Sequence, residues 1–178
     1  MVRVPTMFVA MALCASACAP AEDEVDPTAV DDITAMPQGL FYAQVRHDTR
    51  RCVSPLCGGS WVDAVQRAST VCVDGRSAPE CYVAEVDWSG SGLNDAEVDD
   101  LTSHGYLVRG KIVPRAFGSF GTLGVFVVTE AWRAATDGAA AGTFTMNRDN
   151  GVRCVRAPCF SIASQRLNST VQNTLSSI

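Results

Sequence analysis

Six cysteines fall in three close pairs, Cys52-x4-Cys57, Cys72-x8-Cys81 and Cys154-x4-Cys159. An even set at short spacings, in an oxidising compartment, reads as a disulfide framework. Zinc is the alternative, but Cys-x2-Cys knuckles are missing and neither His47 nor His104 lies near a cysteine pair. Six cysteines admit many connectivities, and nearest-neighbour pairing is the expectation. Each bridge then closes a short loop and contributes about 2–3 kcal/mol, which shapes loops more than it holds up a core.

The oxidising compartment is argued from the N-terminus. Arg3 precedes an almost uncharged run, Val4 to Leu13, that ends in Ala15-Ser16-Ala17-Cys18. This is the layout of an export signal with small residues at its cleavage site. The apolar run is shorter than the roughly 20 residues needed to span a bilayer. Ala15 to Cys18 resembles the lipobox of bacterial lipoproteins, in which the cysteine becomes the acylated N-terminus; Ala15 stands where that motif usually has Leu. The resemblance implies residues 1–17 as signal peptide, Cys18 as lipidation site and a membrane partner through the lipid. Ala19, where inner-membrane lipoproteins often carry Asp, points to the outer membrane. Plain secretion is the alternative.

Residues 18–36 follow as an acidic, disordered tether, with Glu22, Asp23, Glu24, Asp26, Asp31 and Asp32, two prolines and no base. These six acids account for the net charge of -5, because thirteen acids and thirteen bases remain from residue 37 onward. A charge-balanced domain lacks the basic footprint of a nucleic-acid binder. Residues 37–170 are long enough for one hydrophobic core and too few for two. Residues 171–178 read as a polar tail.

Within the domain the sequence repeats. Arg51-Cys52-Val53-Ser54-Pro55-Leu56-Cys57 is echoed 102 residues later by Arg153-Cys154-Val155-Arg156-Ala157-Pro158-Cys159. Each follows an aromatic-bearing segment, Phe41 to Asp48 and Phe144 to Asn150, and each precedes an apolar stretch ending in Gln-Arg. The reading is a duplicated β-unit. Elsewhere period-2 alternation marks strands at Cys81 to Trp88 and Tyr106 to Val113, and Gly121 to Trp132 is the longest β-rich apolar run. Ala68 to Val73 is expected to pair with Cys81 to Trp88 across Asp74-Gly75. Asn150-Gly151 signals a turn between Phe144 to Arg148 and Val152 to Val155. Asn94 caps one expected helix near 94–103. The fold class is therefore mainly β, a small antiparallel barrel or sandwich with one short helix and an internal duplication, with Val86, Ile112, Val125 and Val127 in the core.

Candidates for catalysis fail in turn. His47 and His104 are the only histidines and read as residues of solvated turns, beside Asp48 and Gly105. Cys57-Gly58-Gly59-Ser60 lacks the histidine that would follow it in a trypsin-like protease, and Cys57 has a near partner in Cys52, so it is no free thiolate. Glu85 and Asp87 could serve as paired carboxylates, but at i and i+2 on a strand they read as its wet face. Asn168-Ser169-Thr170 fits a glycosylation sequon, idle behind a bacterial leader. No catalytic residue, metal or cofactor is expected.

Arg50-Arg51-Cys52-x2-Pro55-Leu56-Cys57-Gly58-Gly59, Cys72-Val73-Asp74-Gly75, Cys81-Tyr82-Val83-Ala84 and Asp149-Asn150-Gly151-x-Arg153-Cys154-x3-Pro158-Cys159 together resemble a domain-of-unknown-function family of exported, often lipidated bacterial proteins. The likeness covers residues 40 to 170 and implies a compartment and a domain extent, with no activity. The leading expectation is a non-enzymatic envelope lipoprotein with a structural or binding domain, its partner an envelope or extracellular protein or ligand. The alternative is an inhibitor or ligand-binding module using the twin Cys-x4-Cys loops, where Arg50, Arg51, Arg153 and Arg156 are the candidate binding residues. A hydrolase built from dispersed acids is the third.

Overall fold

A computed structural model of the chain describes residues 39–104, 106–135 and 142–177, which carry eleven strands, one α-helix and a short 3-10 turn at Gly118–Phe120. The signal peptide, the tether and Cys18 lie outside the described residues. In chain order the elements are β1 (Phe41–His47), β2 (Ser60–Ala64), β3 (Thr70–Val71), β4 (Ser77–Ala78), β5 (Cys81–Val83), β6 (Glu85–Asp87) and α1 (Asp95–Thr102). Then come β7 (Tyr106–Ala116), β8 (Thr122–Arg133), β9 (Thr145–Asp149), β10 (Cys159–Arg166) and β11 (Gln172–Ser177). They form a six-stranded sheet in the order β5-β2-β1-β7-β8-β6, a three-stranded sheet β11-β10-β9 and the small β3-β4 hairpin. The chain is mainly β, with several sheets and no closed barrel among the described residues.

The six-stranded sheet is strongly curled, because one continuous segment supplies both of its edges. Residues 81–83 pair antiparallel with β2 and residues 85–87 pair parallel with β8. Between them the Ala84 N–H donates to the Gly124 carbonyl at 2.8 Å. The concave side holds the core: Ala43, Val62, Cys81, Val83, Val108, Ile112, Phe126 and Val128. A bulge at Thr129, opposite Arg109 and Gly110, bends β8 against β7. Glycine is required there, since a Cβ on Gly110 would stand 2.9 Å from Cζ of the Phe126 ring.

The core departs from expectation at two strands. In β8 the concave face carries Phe126 and Val128, whereas Val127 is only half-buried on the convex face. Leu123 to Thr129 is apolar at nearly every position, so alternation could not select the inward parity. Val125 is fully buried all the same. Arg115 reaches over that face of β8 from β7 to bind Glu85 and Asp87 on β6. Ile112 is buried as expected, while Val86 packs half-buried against the core. The expected hairpin of 68–73 with 81–88 is also corrected. Thr70–Val71 pairs with Ser77–Ala78 instead, and the partner of Cys81–Val83 is β2.

The helix starts at its expected cap. The Asn94 side chain accepts from the Glu97 N–H at 3.1 Å and the Glu97 carboxylate accepts from the Asn94 N–H at 2.9 Å, a capping box. The cysteines stand in neighbouring pairs, Cys52–Cys57, Cys72–Cys81 and Cys154–Cys159, with Cα separations of 5.4, 5.3 and 5.5 Å.

The internal echo is a repeat of backbone. In β1-β2, Ala43 faces Ala64 and His47 faces Ser60; in β10-β9, Arg166 faces Thr145 and Asp149 faces Ile162, the same register displaced by 102 residues in both strands. The bonds that bound each hairpin repeat as well: Asp48 N–H to Gly59 O and Asn150 N–H to Ser161 O at one end, Val65 N–H to Tyr42 O and Leu167 N–H to Phe144 O at the other. Gln66 and Asn168, in equivalent places, both take positive φ, +58° and +59°. A third strand joins the same side of each hairpin, β5 in the first unit and β11 in the second. Two expectations fall here. Val152 to Val155 belongs to the loop, and the partner strand begins at Cys159; the segment read as a polar tail contributes β11.

The two sheets meet at Asn168. Its side-chain oxygen accepts from the Tyr42 N–H, and its amide nitrogen donates to the carbonyls of Tyr42 and Val65, each at 2.8 Å. Arg67 donates in turn to the Asn168 carbonyl at 2.7 Å. One side-chain amide thus extends the β1-β2 ladder by a rung and fastens the second unit to the first.

Candidate functional site

Two regions collect chemically capable side chains, the loop between β1 and β2 and the nearby mouth of the curled sheet. The loop is built around Asp48, which is 2% exposed although the sequence suggests a solvated turn. Its carboxylate accepts from the Arg50 main chain at 3.1 Å, from Arg50 Nε at 3.0 and 3.1 Å, from the Gly58 N–H at 3.3 Å and from Trp61 Nε1 at 3.3 Å. The Arg50 guanidinium, opposed by burial, holds this carboxyl well below the usual carboxylate range. Arg50 also lies over the Trp61 and Tyr82 rings, at 4.8 and 5.0 Å, and donates to the Leu56 carbonyl. Tyr82 closes the knot by donating to the Pro55 carbonyl at 2.7 Å and accepting from the Gly59 N–H at 3.2 Å.

Arg50 is therefore an internal strut of its loop. Arg153 has a parallel fate, paired through both terminal nitrogens with Asp149 at 2.9 Å, which lowers the Asp149 carboxyl. Arg51 and Arg156 are exposed and make no hydrogen bond or ion pair among the described residues. The four candidate arginines split into two structural and two available ones. Each loop lies at the end of its hairpin away from Asn168, roughly 20 Å along strands that rise about 3.3 Å per residue.

The mouth of the curled sheet is a cleft of about 730 Å³. Alternation along β1 and β2 turns Val45, His47 and Ser60 toward the concave side. Val86 and Trp88 enter from the segment after β5, Tyr106 from the start of β7, and Thr102 and His104 from the end of α1. Trp88 and Tyr106 form a tilted aromatic pair with centroids 6.2 Å apart, and burial pushes the Tyr106 phenol up. His104 Nδ1 lies 2.7 Å from the Asp100 carbonyl. A carbonyl only accepts, so Nδ1 donates to it and Nε2 is the ring nitrogen left for another partner. Gln44, Arg46, Trp61 and Asp63, which alternation places on the other face of β1 and β2, border the same space with Glu80, so it continues around the rim of the sheet from the concave side. A second cavity, of about 360 Å³, lies at the opposite end between the β3-β4 hairpin, Phe41 and Ile112.

Both histidines thus stand at one cleft, which sequence reading placed in separate solvated turns. His47 precedes the knot at the end of β1 and His104 follows α1, and their convergence is a product of sheet curl that no local pattern carries. Trp88 and Tyr106 were legible only as strand residues. Glu85 and Asp87 lie on the convex face, bridged by Arg115 at 2.9 and 3.2 Å. Hydrogen bonds from Ser89, with Arg115 adding to them, hold Asp87 below its ordinary value. Both carboxylates are engaged in ion pairs there. Among the described residues no three His, Cys, Asp or Glu side chains gather as metal ligands.

Residues 41–178 match DUF6748, a domain of unknown function, and the chain belongs to that family. No curated protein and no solved structure matches it.

Proposed function

We propose that this chain is an exported, lipid-anchored binding protein without catalysis of its own, held at the outer membrane by acylated Cys18 through the acidic tether, and that its ligand enters the cleft at the mouth of the curled sheet. The observation that carries the reading is the cleft. An aromatic pair offers faces for a ring, and His47, Ser60, Thr102 and His104 offer hydrogen-bond donors and acceptors around it. A small ring-bearing polar molecule suits that lining, in which Val45, Val86, Trp88 and Tyr106 alternate with polar and charged side chains. The disulfide-bonded frame supplies preorganisation, so little entropy is lost on binding.

Native mass spectrometry of the chain extracted from membranes tests this. The expected species begins at acylated Cys18 and retains a small molecule that Trp88→Ala releases. A soluble chain cut after Ala17 and unacylated contradicts the anchor, and a molecule retained by Trp88→Ala contradicts the cleft.

A second reading rests on the loops. Val53 and Val155, in equivalent positions, are 65% and 102% exposed beside the available Arg51 and Arg156. Such rigid apolar tips with a free guanidinium suit insertion into a protein partner carrying carboxylates, the inhibitor-like alternative.

A further inference from the structure

The duplication shows what the second unit lacks. In the first unit the outer edge of β1 is covered by β7, with Phe41 opposite Gly110 and Ala43 opposite Val108. The corresponding strand of the second unit, β9, ends its sheet among the described residues. All five of its residues, Thr145 to Asp149, are exposed. The bonds at its two ends fix which groups are open. Phe144 and Asn150 bond toward β10, so by alternation Thr145, Asn147 and Asp149 direct their N–H and C=O groups to the open edge.

We propose that this edge pairs with the same edge of a second copy of the chain, in antiparallel register about Asn147. That register places Thr145 opposite Asp149 and Met146 opposite Arg148, with Asn147 facing itself. No like charges stand directly opposite one another; the two Arg148 side chains are diagonal to each other on the face away from Asn147, where β9 is exposed and they can turn apart into solvent. The two amides of Asn147 can bond to one another across the twofold axis. The product is one six-stranded sheet, β11-β10-β9 continued through its symmetry mate, with a self-complementary interface. A three-stranded sheet in which only Ser164 among the strand residues of known burial is buried gains most from such extension. The inference is independent of the cleft, which lies in the other sheet.

Sedimentation of the chain as purified from cells, from micromolar to millimolar concentration, tests it. The wild type is expected to dimerise reversibly. Asn147→Pro removes only an N–H that points to the open edge, so the sheet survives and the dimer is lost. Met146→Arg sets like charges opposite each other twice and weakens the dimer roughly tenfold, whereas Met146→Asp, facing Arg148, tightens it. A wild type that stays monomeric throughout overturns the proposal. So does a dimer that survives Asn147→Pro, or one for which Met146→Arg and Met146→Asp act alike.

Discussion

The molecule holds two copies of one backbone plan that differ in what they bury. In the first unit the concave positions are Ala43, Val45, Val62 and Ala64, and the strands beside them close over a core. The equivalent positions of the second unit are Thr145, Asn147, Ser164 and Arg166, and β9 is exposed along its length. Register, disulfide loop and left-handed turn residue are the same in both. The bridge and its turn are therefore sufficient to set a hairpin, and the inner-face residues decide whether that hairpin joins a core. The first unit contributes to the cleft, and the second is fastened to it at Asn168.

The difference is broken most directly at its centre. Val62→Asp places an unpaired charge among residues with no solvent contact and should cost more than about 4 kcal/mol, so that thermal unfolding monitored by circular dichroism shows no cooperative transition. Ser164→Asp, at the equivalent position, should cost only about 1–2 kcal/mol and keep the transition. Equal effects would mean that the second unit carries core of its own.

Next in size is the fastening. Asn168→Ala removes an acceptor and two donated bonds and leaves main-chain groups of Tyr42 and Val65 unpaired, for about 2–3 kcal/mol. Amide hydrogen exchange should then quicken across β9, β10 and β11 while protection in β7 and β8 persists. Uniform quickening of both sheets would show a single cooperative unit instead.

The smallest effect concerns the knots. Because Asp48 titrates below its ordinary value in the folded chain, it stabilises the fold above the unfolded carboxylate value of about 3.9. That contribution is lost as the pH falls from there toward the lowered folded value. Asp48→Asn should flatten the acid limb of stability against pH over this window, measured by denaturant unfolding between neutral and strongly acidic pH. Asp149 is also lowered, but its partner Arg153 is mostly solvent-exposed, so Asp149→Asn should change the acid limb less.

Local chemistry was legible wherever a few neighbouring residues decide the outcome. Asn94 announced the helix cap, the Cys-x4-Cys echo announced a duplicated β-unit, and alternation along Tyr106 to Val113 announced β7 with Ile112 in the core. Legibility ended where the decision is made at long range. The uniformly apolar Leu123 to Thr129 hid the parity of β8, so Phe126→Asp, and not Val127→Asp, is the substitution that should abolish folding. Polar Gln172–Ser177 looked like a tail because its strand gains little burial and is recruited by pairing with β10. The cleft was hidden for the same reason. His47, Trp88, Tyr106 and His104 are far apart in sequence, and only the curl produced by segment 81–87 at both edges of one sheet brings them together.

The central claim, that ligand binding belongs to the cleft of the first unit, is tested most directly by chemical-shift mapping. The labelled domain would be titrated with a panel of small ring-bearing polar molecules. The account predicts shifts confined to Val45, His47, Ser60, Trp88, His104 and Tyr106. Shifts confined to residues 48–59 and 150–159, with the cleft silent, would contradict it and transfer binding to the twin loops.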